Sequence, residues 1–343
     1  MRAIVLHKTG GPEQLVAETV ADPAASGDDV LVRVRASAVC GRDLIDRRGG
    51  FPLMKLPTVL GHEFAGEIVA VGESAAAASN LRPGDRVVNL HRPSCFACRP
   101  CLAGQTILCE RAWQSFGHTV DGAYAELVVA HHRTLVKIPD DLPFDTASTL
   151  MCTAGVALRA MRRARLALGE TVLITGASGG VGAAAVQLAR RMGARVVATT
   201  SSPAKAEALR GLGAHEVIVS PDSRFHAEVL RRTDGGADVC VELTGSVTFA
   251  AAIRSLRRAG RMVVVGNVEP VKIELNLGAL ILYGYEIAGS ASCTRQDLED
   301  VIALTRSGEY RPLIDRTLPL ESAAEAHRLL ADRAVVGRVV LVP

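Results

Sequence analysis

Four cysteines fall within one short stretch of this chain, "SCFACRPCLAGQTILCE", and their spacing limits what the stretch can fold into. Cys95, Cys98, Cys101 and Cys109 follow the pattern Cys-x2-Cys-x2-Cys-x7-Cys. The pattern is compatible with a disulfide staple, with a redox pair or with four thiolates around one metal ion. The choice among the three depends on the compartment and on the size of the chain.

Length and hydropathy patterning favour a compartment in which thiols stay reduced. The chain has 343 residues, enough for two domains with large cores that need no covalent staples. The opening run "MRAIVLHKTG" is interrupted by charges, which predicts a first strand rather than a signal peptide. Although 48% of residues are hydrophobic, no apolar run reaches the ~18 residues of a membrane span. We therefore expect a cytoplasmic protein with no membrane association.

The charge balance bears on the class of partner. There are 39 basic and 36 acidic residues, giving a net charge of +3. Basic runs such as "RRARLALGE" are typical of solvated helix faces rather than of a nucleic-acid patch. The sequence therefore predicts a small-molecule substrate and no nucleic-acid partner.

In a reduced compartment, the four clustered cysteines predict a metal site. Thiolates are soft ligands, and four of them in a tetrahedral array select zinc. A four-thiolate site has no open position for substrate. We therefore predict a structural zinc in a lobe over residues 91–111.

Three further residues have the composition of a second, catalytic zinc site. Cys40 begins "CGRD", His62 lies in "GHEFAG", and Cys152 lies in "LMCTAG". A lone Cys or His is usually a core residue, but Asp43 and Glu63 place carboxylates beside the first two. Three protein ligands, an open fourth position and acids that orient the imidazole are typical of catalytic zinc. We count Glu63 among the candidate metal-binding residues as well.

These motifs, in this order, resemble the zinc-containing alcohol dehydrogenases of the medium-chain dehydrogenase/reductase superfamily. The resemblance covers essentially the whole chain and rests on "CGRD", "GHEFAGEIVAVG", the four-cysteine lobe, "DGAYAE", "MCTAG" and "GASGGVG". It implies a catalytic zinc held by Cys40, His62 and Cys152 and a structural zinc in the lobe, two per chain. Cys240 is interpreted as a buried strand residue, and Cys293 matches no ligand position.

The pattern of strands and helices predicts an α/β protein of two domains. Residues 1–150 contain many short β-like runs, which indicates a β-rich domain, GroES-like by the resemblance. From Glu170 onward, strand-like and helix-like segments alternate, which predicts a Rossmann-type, doubly wound parallel sheet. In the family, the tail ending in "GRVVLVP" returns to the first domain. We therefore expect a catalytic domain of residues 1–150 and 290–343 and a dinucleotide-binding domain of residues 151–289.

The glycine-rich segment "TGASGGVG" follows a predicted strand and opens a predicted helix, the context that indicates a dinucleotide site. Gly179 and Gly182 fit the second and third glycines of the fingerprint, whereas Ala177 replaces the first. The candidate cofactor-binding residues are Gly176, Ser178, Gly179, Gly180, Val181, Gly182, Thr200, Ser201, Lys205, Thr244, Gly266 and Asn267.

The end of the second predicted strand, "VVATTSSPAK", bears on the choice of nicotinamide cofactor. An acid there would accept from the ribose 2′-hydroxyl and repel a 2′-phosphate. None is present, and the hydroxyls of Thr200 and Ser201 together with Lys205 can bind a phosphate. The sequence predicts NADP(H), with a merely exposed helix lysine as the alternative.

The residue two positions after Cys40 departs from the pattern that the resemblance implies. In that family, a serine or threonine there passes the alkoxide proton toward a histidine three residues further on. This chain has Arg42 and Ile45. A guanidinium does not deprotonate near neutral pH, but it offers a fork of donors to a carboxylate, a phosphate or a developing enolate. We expect substrates with a polar or anionic group beside the reducible bond.

Three hypotheses on function remain open at this point. The leading one is a zinc-dependent, NADPH-linked oxidoreductase acting on a carbonyl/alcohol pair. The second is a conjugate reductase of α,β-unsaturated carbonyls or enoyl thioesters, because "GNVEP", "LNLGALIL" and "GSASCT" are similar to archaeal acryloyl-CoA reductases. The third is a non-catalytic dinucleotide-binding protein of the crystallin kind, against which a complete zinc triad argues.

Two further features of the sequence bear on the oligomeric state and on the substrate site. The segment "GALILYGYEIAG" could supply an edge strand for a homodimer or homotetramer. Phe51, Trp113 and Phe116 are candidates either for an apolar substrate cleft or for the core.

Overall fold

A computed structural model describes residues 1–51, 53–111, 114–269 and 271–343. The chain forms two compact units. The first unit comprises Met1–Cys152, Ser292–Arg306 and Ile314–Pro343, and the second comprises Thr153–Ala291 and Ser307–Leu313. Across the described ranges, no helix is both long and apolar enough to cross a membrane.

The strands and the helices are each numbered in chain order. The strands are β1 (Arg2–Leu6), β2 (Leu15–Thr19), β3 (Asp29–Val39), β4 (Thr58–Val59), β5 (Phe64–Val71), β6 (Arg86–Asn89), β7 (Leu127–His131), β8 (Leu135–Lys137), β9 (Thr171–Ile174), β10 (Arg195–Thr200), β11 (Glu216–Val219), β12 (Ala237–Glu242), β13 (Leu256–Val264), β14 (Glu286–Gly289), β15 (Ile314–Pro319) and β16 (Arg338–Val342). The α-helices are α1 (Gly41–Arg47), α2 (Glu73–Ala78), α3 (Arg99–Leu102), α4 (Phe144–Leu150), α5 (Val156–Arg163), α6 (Gly180–Arg191), α7 (Ala206–Gly211), α8 (His226–Arg232), α9 (Ser246–Arg254), α10 (Leu277–Tyr283), α11 (Arg295–Arg306) and α12 (Ala323–Ala331). A single π-helical turn, Met151–Gly155, follows α4.

The second unit is built on one parallel sheet of six strands in the order β11-β10-β9-β12-β13-β14. The central strands β9 and β12 are almost wholly buried because helices cover both faces of such a sheet. Leu173, Val197, Cys240 and Met262 belong to its core. The predicted Rossmann-type alternation is confirmed, as is a buried strand position for Cys240.

The first unit is β-rich. Its larger sheet has seven strands in the order β15-β16-β3-β5-β6-β8, with β7 also paired to β3. Along β3, alternate residues are buried, and Val30, Val32 and Val34 pack with Phe64 in one core. A smaller sheet, β2-β1-β4, packs in a second core that includes residues of α12.

The pairing of β3 with β5 positions the candidate metal-binding residues. The two strands are antiparallel, with Ser37 opposite Phe64, and the Ala38 amide donates to the Glu63 carbonyl at 2.9 Å. Because β3 runs directly into Cys40 while β5 begins just after His62 and Glu63, the strand register brings these segments together.

One edge of the parallel sheet is apolar and exposed. Strand β14 is its terminal strand, and the preceding α10 leaves Ile281 and Leu282 each 77% exposed. Isolated exposed apolar residues are ordinary, but a cluster beside an edge strand is typical of an interaction surface.

Candidate active site

The four cysteines of the lobe converge on one point. Each is a free thiol, and their sulfur atoms all lie within 4.8 Å of one another. The Sγ atoms of Cys95 and Cys101 are 4.0 Å apart, and those of Cys98 and Cys109 are 3.9 Å apart. These separations exclude a disulfide, whose sulfurs bond at about 2.05 Å. A tetrahedron with metal–sulfur bonds of about 2.3 Å has sulfur–sulfur edges near 3.8 Å, so the four thiols fit a zinc ion.

Backbone amides surround one sulfur of this cluster. The amides of Ala97 and Cys98 donate to Cys95 Sγ at 3.4 and 3.3 Å. The Ala97 amide most strongly, together with the Cys98 amide and the neighbouring Cys109 and Cys98 thiols, lowers the pKa of Cys95 to about 6 against the opposing effect of burial. Backbone donors stabilise the thiolate, which is the form that binds metal. The backbone of the lobe therefore stabilises the negative charge on the sulfur of Cys95.

A second cluster joins residues that are distant in sequence. The ligand atoms of Cys40, His62, Glu63 and Cys152 all lie within 4.8 Å of one another. Cys40 precedes α1, His62 and Glu63 precede β5, and Cys152 lies in the π-helical turn. Such turns are rare and frequently occur at functional sites. Cys240 and Cys293 belong to neither cluster.

Two buried polar atoms of this second cluster point to a metal ion. His62 Nδ1 donates to Asp43 Oδ1 at 2.8 Å, whereas His62 Nε2 has no hydrogen-bond partner among the described residues. The same holds for Glu63 Oε2. Buried polar atoms are rarely left unsatisfied, and an imidazole fixed by a carboxylate with its other nitrogen available is the arrangement of a metal ligand.

The charges of the cluster also suit metal binding. Burial lowers the pKa of His62, yet its interactions with Asp43 and Cys40 raise it to about 10. The hydrogen bond to Cys152 lowers the pKa of Cys40 well below its usual value, and Cys152 is held as the protonated partner, its pKa raised well above normal. A metal ion would displace these protons, as metal binding to thiols and imidazoles generally does.

Arg338 is a buried cation that the sequence analysis missed. Its Nη2 atom donates to Glu63 Oε1 at 2.9 Å and to the Cys152 carbonyl at 3.2 Å, and it lies 3.6 Å from Cys40 Sγ. Burial raises the pKa of Glu63 to about 8, an effect that Arg338 opposes. Arg338 lies in the final strand of the chain, and no local motif identifies it.

Behind His62 lies a chain of buried hydrogen bonds. The Tyr124 hydroxyl donates to Asp43 Oδ2 at 2.9 Å and lies 3.3 Å from His327 Nε2. Arg47 Nε donates to His327 Nδ1 at 3.2 Å. Burial lowers the pKa of His327 to about 4, so this ring is neutral at ordinary pH. The chain fixes Asp43 and, through it, the orientation of His62.

Asn89 holds the backbone of the segment that carries the ligands. Its Nδ2 donates to the His62 carbonyl and its Oδ1 accepts from the Phe64 amide, both at 2.8 Å. From "DGAYAE", the amides of Ala123 and Tyr124 donate to the carbonyls of Gly61 and Leu60 at 2.9 Å each. Fully paired buried polar groups of this kind specify one conformation.

Arg42 is held by three groups beside the cluster. Its Nε atom lies 3.2 Å from Asp46 Oδ2, its Nη1 hydrogen-bonds His91 Nε2, and its Nη2 donates to the Phe116 carbonyl at 3.2 Å. Its side chain retains 27% exposure. The guanidinium is therefore fixed in position, and it replaces the hydroxyl expected from the resemblance.

A polar network connects Arg42 with two histidines that the sequence analysis did not single out. His118 Nε2 lies 2.7 Å from Asp46 Oδ2, and the Ser115 hydroxyl lies 3.3 Å from His118 Nδ1 and 3.4 Å from His91 Nε2. The His91 ring packs edge-on against His62, with centroids 5.4 Å apart. Burial lowers the pKa of His91 well below its usual value, and the neighbouring guanidinium lowers it further.

The three aromatic candidates have different positions. Phe116 is a core residue, 1% exposed, packed edge-on against Phe64 with centroids 5.3 Å apart. Phe51 stacks on His118 at 3.9 Å. Trp113 lies outside the described residues. Of the two alternatives left open by the sequence, the core position is confirmed for Phe116, and Phe51 lies beside the polar network.

In the second unit, the glycine-rich segment forms a tight connection from β9 to α6. Gly176 has φ +55°, a left-handed conformation that favours glycine. A Cβ on Gly182 would lie 2.5 Å from the Gly176 carbonyl oxygen, so the helix packs closely on the strand end. Gly179 is the N-cap of α6, before Gly180 and Val181. A cradle of glycines at a helix N-terminus fits a pyrophosphate.

The predicted positions Thr244, Gly266 and Asn267 follow the carboxyl ends of β12 and β13, two adjacent parallel strands. A Cβ on Gly266 would lie 1.8 Å from the Leu243 carbonyl oxygen, so no other residue fits without moving the backbone. In open parallel sheets, ligands bind at the carboxyl ends of the strands. These residues lie at that edge of the sheet, as does the glycine-rich segment.

Glu242 is a buried acid at the same edge that the sequence analysis missed. Its Oε1 accepts from the Thr244 and Gly245 amides at 2.8 and 2.9 Å and from the Thr175 and Thr248 hydroxyls at 2.9 and 2.6 Å. These bonds tie the end of β12 to the end of β9. Glu242 thus shapes the loops that the candidate cofactor residues occupy.

The end of β10 carries hydroxyls and no carboxylate. The Thr200 hydroxyl lies 3.4 Å from the Ser178 hydroxyl and accepts from the Ser202 amide at 3.2 Å. Ser201 is exposed, and Lys205 ends the short 3₁₀ turn Pro203–Lys205. The geometry is compatible with a phosphate group at this strand end.

Comparison with known proteins places both units in described families. Residues 26–140 match the alcohol dehydrogenase GroES-like domain, and residues 180–307 match the zinc-binding dehydrogenase family. The sequence is 39% identical to acryloyl-coenzyme A reductase of Metallosphaera sedula and 35% identical to an alcohol dehydrogenase of Geobacillus stearothermophilus, in each case over 99% of both chains. The crystal structure of AibC superposes with a TM-score of 0.93 at 44% identity, covering 100% of this chain and 96% of that one.

Proposed function

Since the chain belongs to the zinc-type alcohol dehydrogenase family of medium-chain oxidoreductases, we propose that it reduces the carbon–carbon double bond of an α,β-unsaturated acyl thioester with NADPH. Membership of an oxidoreductase family removes the non-catalytic hypothesis. The observation that carries the proposal is Arg42, fixed beside the Cys40–His62–Cys152 cluster where a hydroxyl relay would serve alcohol oxidation. Full-length similarity to an acryloyl-coenzyme A reductase supports the same reaction.

The chemistry of conjugate reduction explains why a cation suits this position better than a hydroxyl. Hydride from NADPH adds to the β-carbon, and negative charge develops on the thioester oxygen as an enolate, which then takes a proton from solvent water at the α-carbon. No alkoxide proton has to leave, so the missing relay is not needed. A guanidinium held by Asp46, His91 and the Phe116 carbonyl offers its remaining N–H groups to the developing negative charge.

We infer that two zinc ions bind per chain. The lobe would hold one through Cys95, Cys98, Cys101 and Cys109, and the second cluster the other through Cys40, His62 and Cys152, with Glu63 close enough to serve as a further ligand. Zinc at the second cluster supplies Lewis-acid polarisation of a bound carbonyl oxygen. Asp43 keeps the His62 Nδ1 protonated and its Nε2 available.

We propose NADP(H) as the cofactor, which supplies the hydride. The support is the strand end after β10, where Thr200, Ser201 and Lys205 can bind a 2′-phosphate and no acid opposes it. Replacing Lys205 with Ala should weaken NADPH binding about ten- to hundredfold with little effect on NADH. Equal affinity of the wild type for NADH and NADPH, measured by fluorescence titration, would contradict the assignment.

A second candidate is reduction of a carbonyl or oxidation of an alcohol. It is favoured by the cluster of Cys40, His62 and Cys152, whose ligand set suits Lewis-acid catalysis on a carbonyl, and by the 35% identity to an alcohol dehydrogenase. In that case the proton must take a route that does not use Arg42 or Ile45, because neither side chain exchanges protons near neutral pH.

Product analysis separates the two candidates on a single substrate. The purified protein is incubated with NADPH and the propenoyl thioester of coenzyme A, and the products are identified by mass spectrometry. Conjugate reduction gives the saturated thioester, two hydrogens heavier. Carbonyl reduction releases free coenzyme A together with an aldehyde or alcohol. A panel of simple aldehydes turned over faster than any enoyl thioester would overturn the proposal.

We also propose that the protein is a homo-oligomer. The support is the exposed apolar surface of α10 beside the edge strand β14, with Ile281 and Leu282 both largely exposed. Replacing Leu282 with Asp should shift the mass measured by light scattering toward the monomer. An unchanged mass would exclude this surface as the interface.

A further inference from the structure

A cavity of about 210 Å³ lies within the first unit, beside the metal-binding lobe. It is formed where both halves of the lobe, the segment before β8 and the start of α11 meet. Its lining residues include His91, Arg92, Arg133, Cys293 and Arg295. Cys293, to which the sequence analysis gave no role, is one of them.

The cavity is strongly cationic. Arg92, Arg133 and Arg295 all line it, and none of its described lining residues is acidic. Among the described residues, no carboxylate forms an ion pair with Arg92 or Arg133, and Arg295 has only Glu299, at 3.9 Å. Three guanidinium groups around one small cavity repel one another, and an anion bound among them would remove that repulsion.

Backbone carbonyls fix these guanidinium groups in place. Arg92 donates to the Ile107 carbonyl, and Arg133 donates to the Ser94 and Cys95 carbonyls at 3.4 and 3.3 Å. These bonds orient the side chains without neutralising their charge.

Arg295 is held in the same way, donating to the Arg133 and Leu135 carbonyls at 3.2 and 2.9 Å. Each guanidinium carries five N–H donors and uses only some of them on the backbone. The cavity therefore presents several oriented donors to whatever enters it.

The cavity also adjoins the candidate active site. His91 lines the cavity, hydrogen-bonds Arg42 and packs against the ring of His62. A substrate whose reacting group lies at the second metal cluster could therefore extend past His91 into the cavity.

We propose that this cavity binds a phosphate or pyrophosphate group on the carrier of the acyl thioester substrate. The proposal rests on the proposed thioester reductase function and adds to it the part of the substrate that is recognised. Arginine forks match phosphate oxygens in pairs. The carrier is thus of the coenzyme A class, a phosphorylated thiol.

The test compares two thioesters that differ only in the carrier. One is the propenoyl ester of coenzyme A, and the other is the propenoyl ester of N-acetylcysteamine, which has the same reacting group and no phosphate. The measured quantity is the ratio of kcat/KM for the first to that for the second. Wild type should prefer the coenzyme A ester by at least about a hundredfold, and Arg92→Gln or Arg133→Gln should each lower that ratio about tenfold or more.

Two variants control for folding and for long-range charge. Arg133→Lys keeps the charge but loses the fork, so it should fall between wild type and Arg133→Gln. Arg82→Gln removes a charge from an exposed residue of the same unit that lies away from the cavity, and it should leave the ratio unchanged. A ratio that Arg82→Gln lowers as much as Arg133→Gln, or one that no cavity variant alters, overturns the proposal.

A binding measurement separates failure of the cavity from failure of the proposed reaction. Inorganic pyrophosphate is titrated calorimetrically into wild type, Arg92→Gln and Arg133→Gln. If neither thioester is reduced, the proposed reaction is wrong; the cavity assignment then stands only if wild type binds pyrophosphate and both variants bind it at least tenfold more weakly. If both thioesters are reduced at equal kcat/KM and pyrophosphate does not bind, the cavity assignment is wrong while the reaction stands.

Discussion

The two metal-ligand clusters are assembled in opposite ways. The four cysteines of the lobe follow one another closely in sequence, and the sulfur of Cys95 receives two backbone amides of the lobe itself. The second cluster draws Cys40, His62 and Cys152 from three separate segments. Its support comes from buried charged groups instead, such as Arg338.

The two clusters therefore depend on different parts of the protein. A cluster formed by local spacing is stabilised mainly by the metal that closes its loops. A cluster formed by strand register depends on the whole fold, because each ligand is oriented by residues from other elements. Changes to the lobe should therefore act on stability, and changes around the second cluster should act on chemistry and on local electrostatics.

Exchanging one thiol for a hydroxyl in each cluster should give the largest contrast. We expect Cys152→Ser to reduce turnover of the best substrate at least about a thousandfold, because Lewis-acid activation is lost, while the protein stays folded. Cys101→Ser should instead lower the melting temperature. In both variants, the zinc content measured by elemental analysis should fall from two to one per chain.

The pattern of results decides the assignment. A single zinc in wild type that Cys152→Ser does not remove would show that the second cluster binds no metal. Loss of turnover in Cys101→Ser without any loss of stability would contradict a structural role for the lobe.

Removing the buried cation of the second cluster should have the next largest effect. Arg338→Met removes the buried guanidinium that donates to Glu63 Oε1 and to the Cys152 carbonyl, and the loss of this donor to two buried acceptors should lower the free energy of unfolding by about 2–5 kcal/mol. The double variant Arg338→Met with Glu63→Met should recover part of the loss, because the buried carboxyl group is then removed together with its hydrogen-bond partner. Urea denaturation followed by circular dichroism measures both.

The matched change beside the lobe is Arg99→Met. Arg99 is exposed and begins α3 between two of the lobe cysteines, so the same substitution should change stability by no more than about 0.5 kcal/mol. If Arg99→Met and Arg338→Met lowered the free energy of unfolding equally, the two clusters would not differ in their dependence on buried charged groups.

The same contrast between the two clusters explains how much of each could be predicted from the sequence. The convergence of Cys95, Cys98, Cys101 and Cys109 is readable from spacing alone, because a short segment has few ways to bring four thiols together. The alternation from Glu170 likewise predicted the parallel sheet, since strand and helix periods are local. Local patterns thus sufficed for the lobe and for the architecture of the second unit.

Residues that act across long sequence distances could not be predicted in this way. Arg338, Tyr124 and His327 each meet the Cys40–His62 region from far along the chain. Arg338 lies in an ordinary strand pattern and His327 in an ordinary helix pattern, whereas Tyr124 lies in the segment between β6 and β7. A buried arginine in "GRVVLV" cannot be recognised from its sequence neighbours, because its contact with Glu63 depends on the pairing of β16 with β3. The same applies to Glu242 in the second unit.

The pH dependence of stability should report on the buried hydrogen bonds behind the second cluster, which include His327. The pKa of His327 is about 4 in the folded protein, against 6.5 when unfolded. The unfolded chain therefore takes up a proton that the folded chain does not, and stability is lost as pH falls from 6.5 to about 4. The full loss from this one group is about 3 kcal/mol.

Replacing His327 with Gln should flatten that part of the profile, because the buried imidazole that resists protonation is then absent. Chemical denaturation at pH 7.5, 6, 5 and 4 measures each profile. Identical slopes in wild type and His327→Gln would mean that the buried chain behind His62 does not resist protonation.

Tyr124→Phe is expected to have the smallest effect of these changes, and the effect should be confined to the second cluster. Tyr124→Phe removes the hydroxyl that donates to Asp43 Oδ2 at 2.9 Å and leaves the packing of the ring in place. Asp43 still accepts from His62 and from the Cys40 amide, so the ligands should remain together. Asp43 would be held less firmly, however, and loss of such an outer partner typically weakens metal binding ten- to hundredfold. In competition with a chelator, one zinc per chain should leave Tyr124→Phe about ten to a hundred times more readily. The other should leave at the wild-type rate, because Tyr124 makes no hydrogen bond to the lobe among the residues that the structure describes. If both zinc ions become labile together, the two clusters are coupled through the fold, and the distinction between a locally built site and a register-built site does not hold for this protein.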